Sequence, residues 1–400
     1  MLRDRILLIY FFIVFFIGRN VTHSLGVPNM VIFILLSILF VAIFIVSPCQ
    51  TKPSDKNKYL CLFILYSANT VYKYLFDRTI FPMTATMMII PMSLLVFPDW
   101  SFSKINLYRK LFKLLIVFYV LECGIAIGEV LFHNHVFGLD QLEESSIDSV
   151  RIDTKGFRSY SLHGHPLQNA LIVATIMSNV LVSSFKPIYK YTLWILGFIA
   201  ILGFNTRSSI IGCCAVLVCY TIWQLLYDKS ITRYKYQILF LLLIVLIVGF
   251  VLLMSGRFGG RLLEMGVIDS SSAVVRIDVW RIFDFYALSD FLFGMTYDNY
   301  SYLLTSLGLY ATENFWIDWV LLYGICYLLF NVILLGVIIF RLFRCYSGVQ
   351  KTVVIGSFIL LASTNNSLST GYLPLIFFFV CAKLFSPMSI KFSVDKKFLL

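Results

Sequence analysis

Apolar residues in this chain gather into long runs separated by short polar segments. The runs recur at about 17–22 residues, the length a helix needs to cross a hydrocarbon core of about 30 Å. They predict about twelve spans, at 6–18, 28–47, 59–76, 80–97, 111–132, 166–184, 190–205, 208–227, 237–254, 314–340, 350–365 and 370–385. Asn69, Lys73, Pro82, Pro91, Asn365 and Asn366 interrupt the third, fourth and last two of these. The expected fold is therefore an all-α integral membrane protein. Five spans occupy residues 1–132, a first loop 133–165, four spans 166–254, a long and partly helical loop 255–313, and three spans with a C-terminal segment 314–400. The first run follows Arg3 and Arg5 as the core of a secretory signal does. No small-residue cleavage site comes after it and further spans do, so it reads as a retained helix. No lipidation signal stands out.

Composition agrees: 60% hydrophobic and 13% charged residues exclude a soluble globular domain. The net charge of +11 does not indicate nucleic acid, because the basic residues are scattered over short loops between apolar runs. The nine cysteines lack metal-ligand spacing and mostly sit within apolar runs, where Cys behaves as a small hydrophobe. Lys52, Lys56 and Lys58, then Lys104, Arg109 and Lys110, then Lys229, Arg233 and Lys235 fall on one side of the alternating spans. That bias places this side, and both termini, in the cytoplasm. The chain has no repeats, low-complexity tracts or inverted halves.

Arg158, Arg207, Arg257, Arg261, Arg276 and Arg281 break the rule and fall on the outer side. Guanidinium groups gathered at an outer face suit an anionic, lipid-linked ligand. The loop 133–165 is acidic at Asp140, Glu143, Glu144, Asp148 and Asp153, with basic residues at Arg151, Lys155 and Arg158. The loop 255–313 is the longest stretch without a span, and structureless loops of such length are uncommon unless functional. Three spans start inward from this face behind distinctive residues: Arg158 to His165-Pro166, Thr206-Arg207-Ser208, and Thr312-Glu313-Asn314. Free N–H groups and the positive dipole end of such helices point outward, which suits phosphate. Pro166 fits a first helical position, and Thr206, Ser208 and Thr312 are candidate caps. Arg207 reads either as a ligand clamp or as an interfacial arginine on lipid headgroups. Arg158 reads either the same way or as paired with its loop's acids. His165 shapes the start of its helix, and His163 is titratable without an assignable role.

Helical spacing over 273–287 places Arg281 three positions from both Asp278 and Asp284, on a charged face. Arg276 instead projects between Trp280 and Phe283, away from acids, as a clamp for phosphate or sugar would. Glu313 is either a dipole-stabilising carboxylate or a general base, and Asn314 a sugar hydrogen-bonder or a cap. Glu122 and Glu129 lie in the fifth span, where carboxylates are functional candidates, with Glu129 near enough to the outer end to be solvated. Gly294 reads as a turn, and Tyr297, Tyr300 and Tyr302 as interfacial aromatics or sugar platforms.

In order along residues 155–385, Arg158…His165-Pro166, Thr206-Arg207-Ser208, Arg276 with Trp280, Leu292-Phe293-Gly294, and Glu313-Asn314 followed by Leu321-Leu322-Tyr323-Gly324-Ile325 resemble the O-antigen polymerase and O-antigen ligase superfamily. Ligases of that group usually carry a His before the Asn; Glu313 here favours polymerase. The resemblance implies a C-type glycosyltransferase architecture in the bacterial inner membrane, with a periplasmic active site and no metal, nucleotide sugar or other cofactor. Its implied partners are polyprenyl-pyrophosphate-linked oligosaccharides as donor and acceptor, membrane lipids, and a chain-length-regulating membrane protein. Arg207, Arg276 and Glu313 become the expected catalytic residues, and Arg158, His165, Asn314, Trp280 and Arg281 the expected substrate-binding ones. The rivals are a ligase that transfers polymer to a lipid A core and a glycolipid flippase. A transporter of the second kind places its charges near the bilayer midplane rather than at a surface.

Overall fold

A computed structural model describes residues 2–46, 53–96, 105–137, 157–227, 235–256, 258–260, 262, 279–309, 312 and 314–386. Among them every regular element is helical. The N-terminal half holds α1 (Leu2–Phe16), α2 (Arg19–Ser24), α3 (Asn29–Val46), α4 (Pro53–Phe76), α5 (Phe81–Val96) and α6 (Ile105–Phe132). Next come α7 (Pro166–Val182), α8 (Pro187–Phe204), α9 (Arg207–Tyr227) and α10 (Lys235–Met254). A 3₁₀ helix (Val279–Phe285), α11 (Leu288–Phe293) and α12 (Tyr297–Ser306) follow, then α13 (Phe315–Leu342), α14 (Gly348–Ser363), α15 (Ser367–Thr370) and α16 (Leu373–Leu384).

Over the described residues the chain is an all-helical, multi-pass membrane protein whose helices differ in length. Among the described residues, six helices are long and apolar enough to cross a membrane: α3, α6, α8, α9, α10 and α13. The apolar parts of α4, α5, α7, α14 and α16 are shorter, at 10–17 residues, and α1 has 15. Position accounts for much of the difference. Helices α7 and α16 are buried along almost their whole length and pack on one another, with α7 also against α8 and α14. A helix sheathed in protein does not have to reach both water layers itself, because irregular backbone is tolerated at membrane depth where protein covers it. The long helices are more peripheral. Only 17% of the apolar window of α10 is buried, and Phe240, Leu243, Ile247 and Phe250 lie exposed along it, as a lipid-facing surface requires.

Hydrogen bonds tie the connections together at two ends. At one end, Asn20 N–H donates to Leu162, Ser159 N–H to Gly203, Tyr297 N–H to Asp77 and Phe315 N–H to Asn365. At the other, the Tyr108 hydroxyl donates to the Leu384 carbonyl, the Tyr346 hydroxyl to Ala382, and the Gln350 amide to Val182. The described candidates Arg158, His165, Arg207 and Asn314 lie at the first end.

Near that end α13 is broken at Gly324, whose φ of 82° and ψ of 161° match Gly294 after α11, at 83° and 160°. Only glycine occupies this region readily. The two glycines also touch: a Cβ on Gly294 would lie 2.4 Å from the Leu322 carbonyl oxygen, and one on Gly324 2.4 Å from that of Leu292. The break exposes carbonyls, and each finds a donor. Leu321 accepts from Met295 N–H and the Tyr286 hydroxyl, both at 2.8 Å, while Leu322 accepts from Lys73 Nζ at 3.2 Å. Lys73 also donates to the Phe293 carbonyl at 2.7 Å and pairs with Asp77 at 3.3 Å. The cation that interrupts the third apolar run is thus a peg for two irregular backbones. Ala at Gly294 or Gly324 should cost about 1–3 kcal/mol from backbone strain alone, with the clash added. The expected outcome is a lower monodisperse yield after detergent extraction for both variants, with the exposed Gly348→Ala as a control. Wild-type yield from Gly324→Ala would count against the paired-glycine account.

Candidate functional site

The site is built on a strap, residues 157–165, laid across the end of the helix bundle. Its backbone is not helical before α7, so its N–H groups need outside acceptors. Glu129 of α6 supplies them, its Oε2 accepting from the Ser159 hydroxyl (2.6 Å), Tyr160 N–H (2.9 Å) and Ser161 N–H (3.0 Å). Its Oε1 accepts from Val136 N–H at 2.9 Å. Two turns deeper, Glu122 accepts from Leu162 N–H at 3.3 Å, and its backbone carbonyl accepts from the Ser161 hydroxyl at 3.1 Å. The Asn20 amide donates to the Tyr160 and Ser161 carbonyls, each at 2.9 Å, and the Asn169 amide donates to Tyr160 as well. Glu129 is 1% exposed, so the expectation that it is merely solvated is corrected: it is consumed in holding the strap. His163 is fully buried, with Nε2 donating to the Val14 carbonyl at 3.0 Å, Nδ1 3.7 Å from Glu122, and its ring edge-on to Phe118 and Phe377.

The strap delivers Arg158 to the turn that carries Arg207. Arg158 is 9% exposed and its Nε donates to the Phe204 carbonyl at 3.3 Å, three residues before Arg207. The Asn205 amide returns the contact by donating to Phe157 at 3.2 Å. Asn205 closes α8 in the left-handed conformation (φ 55°), and Arg207 opens α9, partly buried. Thr206 is buried without a hydrogen bond to its hydroxyl, so it does not cap α9 as expected. The start of the long loop joins here, with Gly259 N–H donating to Leu202 at 3.0 Å. His165 caps α7, its Nδ1 accepting from Leu167 N–H at 3.3 Å, with Pro166 at the first helical position.

Asn314 stands at the head of α13 and is its cap, Oδ1 accepting from Trp316 N–H at 3.0 Å. Thr312, the expected cap, is engaged elsewhere: its hydroxyl donates to Asp318 at 2.6 Å. Asp318 is 6% exposed and also accepts from the Tyr300 hydroxyl (2.8 Å) and the Ser369 hydroxyl (2.5 Å). One carboxylate therefore joins α12, the segment before α13, α13 and α15. Burial, then the Asp318 charge, pushes the Tyr300 phenol far up, so it stays a donor. Asp318 is the residue the sequence reading passes over, although a lone acid in an apolar run is a default functional candidate.

Trp280 and Arg281 lie apart from these groups, on the 3₁₀ helix. Val279 and Ile282 are buried against Leu304, Leu309, Ile317 and Leu321, leaving Trp280 60% exposed and Arg281 exposed. The α-helical spacing expected over 273–287 is corrected for its described part, because a 3₁₀ helix turns about 120° per residue rather than about 100°. Trp280 and Phe283 still share an edge, with ring centroids 5.8 Å apart. Arg257, Arg261, Arg276 and Glu313 lie outside the described residues, as do the acids at 140–153. Arg158 thus contacts the turn that leads to Arg207, and α9 packs on α14, whose end gives Asn365 to Phe315 beside Asn314.

Two cavities open at the same end. One of ≈ 140 Å³ is lined by Arg19, Asn29, Phe81, His163, Gln168 and Thr370, among others. The second, of ≈ 290 Å³, has Tyr297, Tyr300, Asp318, Asn366, Ser369 and Thr370 in its wall. Arg19 is a cation the sequence reading does not single out. In comparisons with known proteins, no family model matches the chain and no curated protein is similar to it.

Glu129→Ala should leave a hydroxyl and three amides without their acceptor, at about 1–3 kcal/mol for each buried group left unpaired. Hydrogen exchange followed by mass spectrometry should then show faster exchange across 159–162, with α10 unchanged. Unaltered exchange in the strap would remove Glu129 from this role.

Proposed function

We propose that the chain is a membrane glycosyltransferase that polymerises polyprenyl-pyrophosphate-linked oligosaccharide repeat units into O-antigen or a similar surface polysaccharide. The reaction runs at the periplasmic face of the inner membrane, with both termini cytoplasmic, as the lysine and arginine bias supports. The observation that carries the reading is Arg158, held by its strap against the turn that begins α9 at Arg207. Two guanidiniums distant in sequence share one end of the bundle with the heads of α7, α9 and α13. That combination suits a diphosphate.

In the proposed step a hydroxyl oxygen of the incoming repeat unit bonds to the anomeric carbon of the growing chain. The bond from that carbon to the polyprenyl pyrophosphate breaks, and its electron pair leaves with the pyrophosphate. Arg158, Arg207 and Arg276 stabilise the charge that develops there, through groups oriented before the reaction begins. At an effective dielectric near 20, a guanidinium about 4 Å from a unit charge contributes roughly 4 kcal/mol before desolvation. Arginine stays protonated and takes no proton, so Glu313 accepts the one from the attacking hydroxyl. Asn314 is spent as a cap through Oδ1 and Trp280 is exposed, so their substrate contacts are the amide nitrogen and the ring face.

A strain lacking the protein should carry single-repeat caps in place of long polymer, whereas loss of a ligase leaves polymer on its lipid carrier. In that strain, Arg207→Ala and Arg276→Ala should fail to restore polymer although both accumulate in the membrane. Arg207→Lys should also fail, since a point charge does not reproduce the planar fork. Arg281→Ala should restore more than Arg276→Ala. Full-length polymer in the deletion strain, or in both alanine variants, would end the proposal.

A further inference from the structure

The cavity beside Asp318 has a distinctive wall. Tyr300 and Thr312 donate to one oxygen of Asp318, and Ser369 donates to the other. Of these three, Tyr300 and Ser369 line the cavity; a hydroxyl has one proton, so each of the two, once committed to the carboxylate, has only acceptor lone pairs left. Thr370 is set the same way, donating to the Asn366 carbonyl at 3.1 Å. The wall is therefore rich in acceptors around a negative charge. It repels phosphate, and it offers a metal only one carboxylate whose oxygens are already occupied. What it suits is a neutral ligand dense in O–H donors. Tyr297 and Tyr300 line the same space with ring centroids 5.9 Å apart, which adds apolar faces beside the acceptors. Apolar faces with a few convergent polar groups are the general make-up of a small-ligand site.

Thr370 also lines the Arg19 cavity, and there its hydroxyl accepts from the Gln168 amide at 3.1 Å. The two cavities thus adjoin across one side chain. The first is lined by Arg19, the buried His163, and apolar Ile32, Phe81 and Pro82. We propose that the Asp318 cavity is a saccharide subsite for the incoming repeat unit and that the phosphate of the same ligand, distinct from the one that departs beside Arg158 and Arg207, lies across Thr370, in the Arg19 cavity. The identity of the lipid carrier rests on the function proposed above; the division of labour rests on the two cavity walls. Arg19 then acts on phosphate whatever the sugar, while the hydroxyl-lined wall discriminates by the sugar alone.

The test is equilibrium binding, without turnover, to the full-length protein in nanodiscs, read by native mass spectrometry. The probes are a short-chain polyprenyl pyrophosphate and the same lipid carrying one N-acetylhexosamine. Wild type should bind the sugar-bearing lipid about tenfold more tightly, which is about 1.4 kcal/mol. Thr305 and Ser301 line the cavity, are exposed, and donate nothing to Asp318, so Thr305→Trp and Ser301→Trp fill it while sparing that network. In either variant that remains monodisperse, the preference should fall to about one, with binding of the bare lipid retained. Arg19→Ala should weaken both lipids alike and keep the ratio. Equal binding of the two lipids by wild type, or a preference that survives both tryptophans, overturns the proposal. Neither result depends on polymer in cells, so failure of the polymerase reading would be seen separately.

Discussion

Backbone that leaves the helix where protein or lipid shuts out water must be paired by the protein itself. That constraint is met twice, in different ways. At the strap, carboxylates on α6 serve as acceptors for N–H groups. At the break in α13, a lysine, a tyrosine hydroxyl and a main-chain amide serve as donors for carbonyls. Charged groups are chosen where several bonds must be made in a small volume, because hydrogen bonds to ionised groups are stronger than neutral ones. The charges that an apolar chain would otherwise exclude are thus concentrated where irregular backbone is needed.

Both irregular segments are attached to candidate chemistry. The strap fixes the neighbourhood of Arg158, and with it the relation of that residue to the start of α9. The broken helix carries Asp318 and Asn314 on its outer half, between Gly324 and the end of the bundle. An unbroken α13 would present those residues along a different axis. The break lets its outer segment lean on α11 and α12 while the longer inner segment keeps its place beside α4 and α5. Side chains placed this way are held by hydrogen bonds on several elements, which is what a preorganised site requires.

Much of this was legible in the sequence, and the exceptions have physical causes. Apolar runs report helices directly, and Pro166 and Asn314 report helix starts because capping is local chemistry. About twelve apolar runs were expected, and six described helices are long and apolar enough to cross a membrane while others are shorter; hydropathy measures what a segment is made of and not whether lipid or protein surrounds it. The run at 166–184 reads like that at 237–254, yet α7 is central and α10 peripheral. Glu129 and Lys73 looked like candidates for function or for span interruption, since their partners are backbone groups far away in sequence. No local pattern marks a carbonyl that a distant break will expose. Asp318 was missed for the opposite reason: its partners are three ordinary hydroxyls, none notable alone.

The two kinds of polar group are also kept apart, and this bears on what the end of the bundle does. Arg158 contacts the α8–α9 turn that leads to Arg207 and Arg19 stands beside the strap, while Asp318 with its hydroxyl partners lies across Thr370 from the Arg19 cavity. Had the arrangement served stability alone, pairing Asp318 with an arginine would be the direct way to neutralise a buried carboxylate. Hydroxyls satisfy it instead, which leaves its negative charge in place beside a cavity. An anionic ligand would therefore be drawn toward the guanidiniums and turned so that its uncharged part faces Asp318. Such polarity orients a molecule with a charged head and a hydroxyl-rich body, and it does so before any residue of the long loop makes contact.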